Sequence, residues 1–585
     1  MAQIIFMKTR LLFLCAALLT RNFVGNAQVV NVCTDPEVQQ VLLGKYDPRA
    51  YHATSIITDA TIISQGLNTL VSPDSLRADL NMLTTFGTRN TGSDTASGTR
   101  GIGAARRWVY NKFQQYSAAN EHRLLPSYLQ FDTTICGIPQ HRNIFAVLPG
   151  LDTADKSVIV VEAHIDSRCK DVCDTACIAQ GINDNGSGTA LVLELARVMS
   201  KYSYNHTIVF LVVIGEEQGL YGGQAFAVYA KDNGIKIKAV LNNDIVGGII
   251  CGHTSSPPSC PGFEDIDSTH VRLFSYGSFN SPHKQFARFT KLQYNERILP
   301  VAHVPMGINV MTPEDRTGRG GDHIPFRQLG YTAIRMTSEN EDGNADVTDP
   351  TYKDRQHTSA DSMGVDVNND GIIDTFYVDF DYLARNIVIN GNAMAMMAVG
   401  PQTPDLALST TGGNLIVNIT AHPEYMHYKI GLRTTSNDWD SVYTFTGLAD
   451  TLIVPTGNYI VSVAAVDTAG VESLFSEEIM QRVATVNAVG MVPQANGIEL
   501  LQNKPNPADE ATTIAVKVDE QVAYKNAYIL IRDLNGTEVS RTPITLNAGV
   551  NEIEYSHGYN MSGTFIYTLV VDGKALQSKR MVFTN

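Results

Sequence analysis

Basic residues are scarce in this chain: 44 lysines and arginines stand against 59 acidic residues, for a formal net charge of -15. That balance excludes nucleic acid or an anionic membrane as the main partner, because both require a positive surface. Long apolar runs are also missing. The stretch from Leu11 to Leu19 is too short to span a bilayer, and nothing behind it reads as a transmembrane segment of about 20 residues. No Gly-x-Ser-x-Gly occurs, which removes the nucleophile-elbow serine hydrolases. Only 18% of residues are charged and 44% are hydrophobic, a composition that builds cores and not disordered chain. The length of 585 residues leads us to expect about three or four domains.

What is present begins with a targeting pattern. Lys8 and Arg10 precede the apolar run, and the small residues around Gly25 and Ala27 offer a cleavage site, so residues 1–27 read as a secretory signal peptide. Seven cysteines follow, at 33, 136, 169, 173, 177, 251 and 260. In an oxidising compartment they predict disulfides with one thiol left over. Cys251 and Cys260 bracket one loop and are the expected pair. Cys169, Cys173 and Cys177 lack a fourth ligand at good spacing, so disulfide is preferred to zinc there.

Apolar periodicity predicts helices around Ser75 to Leu83 and Arg100 to Tyr116. Beyond them, continuous apolar strands alternate with helices: Val158 to Glu162, helix Thr189 to Ser200, strand Thr207 to Ile214, helix Gln224 to Lys231, strand Ala239 to Ile245. This pattern predicts an α/β fold with a mixed, mostly parallel sheet sandwiched by helices. Ligand sites in such sheets lie beyond the carboxyl ends of the strands. Polar residues stand at those ends: His164 and Asp166, Asp184 before a helix, Glu216 and Glu217, Asp244, and later His357. Two histidines and several carboxylates from separate loops form a nitrogen and oxygen set suited to zinc. In the adjacent glutamates one side chain can hold metal while the other acts as a base.

The ordered set Ala163-His-x-Asp166, Asn183-Asp-Asn-Gly-Ser-Gly188, Gly215-Glu-Glu217, Asn242-Asn-Asp244 and Gln356-His-Thr-Ser359 resembles the secreted bacterial leucyl aminopeptidase family of co-catalytic zinc exopeptidases. The resemblance covers residues 72–400 and implies two zinc ions. His164 and Asp244 would hold one, Glu217 and His357 the other, with Asp184 bridging. It further implies that Glu216 is general base and acid toward a water activated by both metals, and that Asp166 orients the His164 imidazole. The implied substrates are peptides with a free amino terminus. The loop Gly318 to Phe326 is similar to the family's substrate-pocket loop, which suggests Arg319 and Phe326 as substrate contacts. His323 is the rival to His357. In several relatives a tyrosine near the last histidine stabilises the oxyanion, whereas here Gln356 precedes His357; Tyr352 and Tyr331 are the alternatives.

Asp366, Asn368, Asp370 and Asp374 are spaced as in calcium loops, with Gly371 at the sixth position and Tyr377 where a bidentate glutamate belongs. Calcium and an ordinary Asx-rich turn are the two readings. Residues 28–71 read as an amino-terminal extension or short propeptide. After the linker Pro401 to Pro404, short alternating strands dominate. Gly457 to Ser473 resembles the last strands of a fibronectin type III sandwich, bounded at 401–484. Leu501-Gln-Asn-Lys-Pro-Asn-Pro507 with Gly563-Thr-Phe-Ile-Tyr567 resembles the type IX secretion carboxy-terminal sorting domain, with its linker at 485–585. These resemblances imply export through the periplasm, the type IX machinery as partner, and a secreted or outer-membrane-associated product. Glutaminyl cyclase on the same fold, and an inert cell-surface binding protein, are the competing functions.

Overall fold

The structure, a computed structural model, describes residues 31–251, 264–316, 319–340, 355–484, 497–509, 511–520, 522–534, 536–556 and 563–584. The signal segment 1–27, Tyr352 and Cys260 lie outside these residues. The described residues fall into two compact units, one within 1–276 and 290–399, the other within 277–289 and 400–585.

The main sheet of the first unit has nine strands: β1 (Val32–Cys33), β2 (Leu125–Ile135), β3 (Ile138–Leu148), β4 (Val158–His164), β5 (Thr207–Val213), β6 (Ile237–Asn243), β7 (His270–Ser275), β8 (Gly307–Val310) and β9 (Ala333–Ser338). Their order across the sheet is β1-β2-β3-β5-β4-β6-β9-β7-β8. The central ladders β5-β4, β4-β6 and β6-β9 are parallel. Antiparallel pairs flank them on both sides, β3-β5 on one and β9-β7 on the other. Every residue of β4 and β5 is buried, as expected of strands covered on both faces. Each large aliphatic side chain so removed from water contributes about 1.5–3 kcal/mol. Helices Pro73–Thr84, Gly101–Ala119, Ser187–Met199, Tyr221–Asp232 and Phe380–Val399 supply the cover. The helix Ser187–Met199 approaches β6 closely. A Cβ at Gly188 would stand 2.3 Å from the Asn243 carbonyl oxygen, so only glycine allows that approach.

Residues 32–71 are woven into this unit. Val32 and Cys33 add an edge strand to β2, and Pro36–Leu42 and Ala60–Leu70 are helices whose apolar faces are buried. Disulfides join Cys136 to Cys173 and Cys169 to Cys177, while Cys33 is a buried free thiol. Cys251 is also disulfide-bonded; its expected partner, Cys260, lies outside the described residues.

The second unit holds two antiparallel sandwiches, each of a three-stranded and a four-stranded sheet and each with its own apolar cluster. In the first, Asn414–Ile419 alternates buried and half-buried residues along its length, the signature of a strand with one face inward. Residues 277–289, far away in sequence, join this unit through a buried ion cluster. Glu478 accepts from Arg288 and Arg433, both at 2.6 Å, and from the Asn280 amide at 2.7 Å. The domain limit placed at 400/401 by composition therefore misses a segment that belongs with the sandwiches. Among the described residues no helix is long and apolar enough to cross a membrane.

Candidate active site

The carboxyl edge of the parallel strands gathers the polar residues. His164 ends β4, the Glu216-Glu217 pair follows β5, and Asp244 follows β6. Asp184 sits in the turn before the helix Ser187–Met199, and Thr189 of that helix donates to the His164 carbonyl at 3.0 Å.

Asp184 occupies the centre. Its Oδ1 stands 3.4 Å from His164 Nε2, and its Oδ2 stands 3.1 Å from His357 Nε2. On the first side Asp244 Oδ1 is 3.3 Å from His164 Nε2. On the second, Glu217 Oε2 is 3.2 Å from His357 Nε2. Donor atoms sharing a tetrahedral zinc, with bonds of about 2.0–2.1 Å, are separated by about 3.3 Å. The site meets that spacing on both sides, so the donor set fits zinc. Two groups of metal-ligand type stand out among the described residues: His164 with Glu216 and Asp244, and Asp184 with Glu217 and His357. Glu216 differs from the others. Its carboxylate is 3.9 Å from His164 Nε2 and, at 14%, is the most exposed of the group.

Electrostatics follow from this crowding of protein groups. Burial opposes charge on His164, yet Glu216, Asp166, Asp184 and Asp244 raise it well above the ordinary imidazole value. Burial also opposes charge on His357, but Glu217 and Asp184 bring it to about 9. Asp184 is held well below the carboxylate range, against its burial, by the two imidazoles. Glu216 moves the other way. Burial, reinforced by Glu217, Asp244 and Asp184, pushes it well above its usual value.

Two further carboxylates fix the turns. Asp166 was expected to orient His164, but Nδ1 of that ring lies closer to the Asp166 carbonyl oxygen, 3.1 Å, than to its carboxylate, 3.5 Å. The carboxylate instead accepts from the amides of Glu216 and Glu217, at 3.4 and 3.2 Å, and from Thr91 at 3.2 Å. Asp361 does the same for the other turn, accepting from the amides of Asn183 and Asp184, both at 2.9 Å. His357 adopts φ 59°, a left-handed conformation that is unusual for a non-glycine residue and common at functional turns.

Sequence reasoning missed three arginines. Arg89, fully buried, donates to the carbonyls of Ile165 and Gly181 at 2.7 and 2.8 Å and to that of Gln180. It thus ties the turn after His164 to the turn before Asp184. Arg335, also fully buried, donates to Asp244 Oδ2 at 2.9 Å and to Asp315 at 2.8 Å. Arg168 donates to Glu217 Oε2 at 2.7 Å. A buried arginine in an apolar chain is itself a signal, because the charge must find a partner, but it does not name the partner. Gln356 donates to Asp184 Oδ2 at 2.8 Å.

Other expected residues fall elsewhere. Phe326 is fully buried against Phe226, 6.2 Å between ring centres; it is a core residue, and the expectation of a substrate contact is corrected. Arg319 is half-buried, with an Nη1 that finds no hydrogen-bond partner among the described residues. His323 is buried away from the two groups, lies 3.3 Å from the Glu314 carbonyl, and is pushed by burial down to about 4, so His357 is the late histidine that meets Asp184 and Glu217. Tyr331 spends its hydroxyl on the Ile235 carbonyl at 3.2 Å. The side chains of Asp366, Asn368, Asp370 and Asp374 accept from amides of their own exposed loop, as in Asx turns.

Residues 143–250 match the model of peptidase family M28. A probable zinc metalloprotease of Leptosphaeria maculans is 33% identical over 357 residues, covering 58% of this chain and 78% of that protein. A second probable zinc metalloprotease, from Pyrenophora teres f. teres, is 30% identical over 425 residues, covering 69% and 84%. The aminopeptidase LapA of Legionella pneumophila is similar in structure with a TM-score of 0.42 and 18% identity, over 58% of this chain and 75% of that one. With one-third identity across most of a relative's length and the ligand geometry in place, the chain belongs to peptidase family M28 and is a zinc metallopeptidase.

Proposed function

We propose that this chain is an exported aminopeptidase that uses two zinc ions to hydrolyse the first peptide bond of its substrates. The observation that carries the reading is the span of Asp184, one carboxylate whose two oxygens face two different histidines. His164 and Asp244 would hold one ion, Glu217 and His357 the other, with Asp184 between them. Bound there, zinc would supply Lewis acidity and acidify a water molecule.

The chain's own residues do the rest. Glu216, raised by its burial and its acidic neighbours, takes a proton at its carboxylate from the attacking water. It returns the proton to the departing amine. Asp166 keeps Glu216 and Glu217 facing apart by gripping both their amides. The carboxylates of Glu216, Glu217, Asp184 and Asp244 make the cleft acidic, which favours a substrate carrying a free α-ammonium group. Arg319, with a donor unpaired among the described residues, is the residue we assign to the substrate backbone or side chain.

Affiliation to the secreted bacterial leucyl aminopeptidases, and export to the cell surface through the type IX machinery, rest on the sequence motifs. So do the fibronectin type III reading of residues 401–484 and the sorting domain in 485–585; two independent antiparallel sandwiches agree with that organisation. Calcium at Asp366, Asn368, Asp370 and Asp374 rests on ligand spacing alone.

The test is a product assay on the zinc-loaded chain with peptides that are free, amino-blocked or headed by glutamine. Release of the first residue from free peptides only is expected. Internal cleavage of blocked peptides would refute exopeptidase specificity, and ammonia release from amino-terminal glutamine would replace the reading with a glutaminyl cyclase.

A further inference from the structure

The first unit holds a cavity of about 390 Å³ that is lined by none of the residues assigned to zinc or catalysis. It lies between the helix Phe380–Val399, the segment 294–306 and the entry to the helix Pro73–Thr84. The volume is at the lower end of the roughly 300–1,000 Å³ of small-molecule sites, so it suits one small ligand and not a peptide chain. Val71, Ile298, Met306 and Val388, all buried, and the more exposed Val304 make the walls apolar.

The polar groups of the cavity are few, and two of them are buried donors in want of an acceptor. Arg385 gives its Nη2 to the Ser268 carbonyl at 2.9 Å, while its Nε is buried and finds no partner among the described residues. The hydroxyl of Tyr294, a buried residue, accepts from the Met306 amide at 2.6 Å. Among the described residues its own proton meets no acceptor. Burial raises this hydroxyl, against the opposing charge of Arg385, so the two groups lie near each other. Buried donors left unpaired are costly, and a carboxylate in the cavity would satisfy both.

Asp381 stands one helical turn before Arg385 and is exposed. That spacing brings the two Cβ atoms within about 5–6 Å, and an acid and a base so placed ordinarily pair with each other. Here, among the described residues, no ion pair joins them, and both line the cavity. An anionic and a cationic group one turn apart beside apolar walls match the two charges that an α-amino acid carries on its Cα.

We propose that this cavity is a second ligand site, for a free apolar α-amino acid. Arg385 and Tyr294 take its carboxylate, Asp381 its ammonium, and the apolar walls its side chain. The ligand class follows from the cavity itself. That the same amino acid is also what the enzyme releases rests on the exopeptidase reading above; on that reading the site fills with product.

The experiment is a calorimetric titration of L-leucine into the full chain, for wild type, Arg385→Met and Asp381→Asn, each with zinc bound and with zinc chelated, because leucine can also reach the catalytic ions. Leucine binding that survives chelation in wild type is expected. Each substitution should weaken that binding on the order of 10-fold or more, the loss of one charge-assisted contact. Isocaproate, which keeps the carboxylate and the apolar tail but lacks the ammonium, should bind wild type about as weakly as leucine binds Asp381→Asn. A merely structural role for Asp381 would not make this distinction. Leucine binding that vanishes on chelation belongs to the catalytic centre and overturns the proposal, as does unchanged binding in both variants. Isocaproate bound as tightly as leucine would overturn the assignment to an amino acid. Should Arg385→Met not fold, the exposed Asp381→Asn decides it alone, weaker binding supporting and equal binding refuting. The readout is binding without turnover, so it stands or fails separately from the exopeptidase assay.

Discussion

Replacing Asp166 by asparagine separates two roles that sequence alone merges, support of an imidazole and support of a turn. The carboxylate is fully buried and accepts from Thr91, Glu216 and Glu217 while lying 3.5 Å from His164 Nδ1. Asparagine fits the space but keeps one oxygen, so its amide nitrogen must face donors on one side. The loss is at least one charge-assisted hydrogen bond, about 1.5–3 kcal/mol. If half or more of that reaches the metal ligands, zinc affinity and kcat/KM fall about 10-fold, and up to about 100-fold if all of it does. Zinc titration and steady-state kinetics on the same preparation read both. The geometry further predicts that kcat falls with kcat/KM, because the Glu216 amide is among the donors that lose their acceptor. A variant with zinc affinity and kcat within about twofold of wild type would refute the assignment of Asp166 to these turns.

Three more outcomes follow from the same structure. Arg89→Met leaves the carbonyls of Ile165, Gln180 and Gly181 without their buried donor; a loss of about 3 kcal/mol or more is expected, measured by denaturant unfolding, and a loss below about 1 kcal/mol would contradict the role. His206 is buried with its Nε2 3.1 Å from Lys238 Nζ, and burial together with Lys238 depresses its value to about 4. Its folded value lies below the unfolded 6.5, so its contribution is complete above pH 6.5 and is lost as pH falls towards 4, by about 3 kcal/mol at most. His206→Gln should accordingly flatten the melting temperature between those limits, and an unchanged acid slope would count against it. If the Asp366 to Asp374 loop takes calcium, adding the ion raises the melting temperature of wild type and not of Asp370→Ala; equal curves assign the loop to Asx turns.

The parts of this molecule that were legible in the sequence are those written locally. The unbroken apolar run of β4 announced a strand buried on both faces, and a histidine at its end had no packing reason to be there. Asp184, Glu216, Glu217 and Asp244 could be read the same way, each following an apolar run or opening a helix. What stayed hidden depends on partners remote in the chain. Arg168 sits four residues after His164 but acts on Glu217 and His357, and no periodicity records such a pairing. Asp361 was visible next to His357, yet its role, gripping the amides of Asn183 and Asp184, is a contact between two loops. Phe326 misled because a motif-bearing loop runs on into core: its ring faces Phe226 and not the cleft. Residues 277–289 have the composition of their neighbours, and only Glu478 with its two arginines shows where they belong.

The central claim is that Glu216 moves the proton while its neighbours hold the metal. Zinc content and turnover of Glu216→Gln, measured together, test it most directly. The account predicts zinc retained at the wild-type level, about two ions per chain, with turnover reduced by at least about 10²-fold. Turnover close to wild type would contradict it, and loss of zinc along with activity would make Glu216 a ligand of the His164 and Asp244 group.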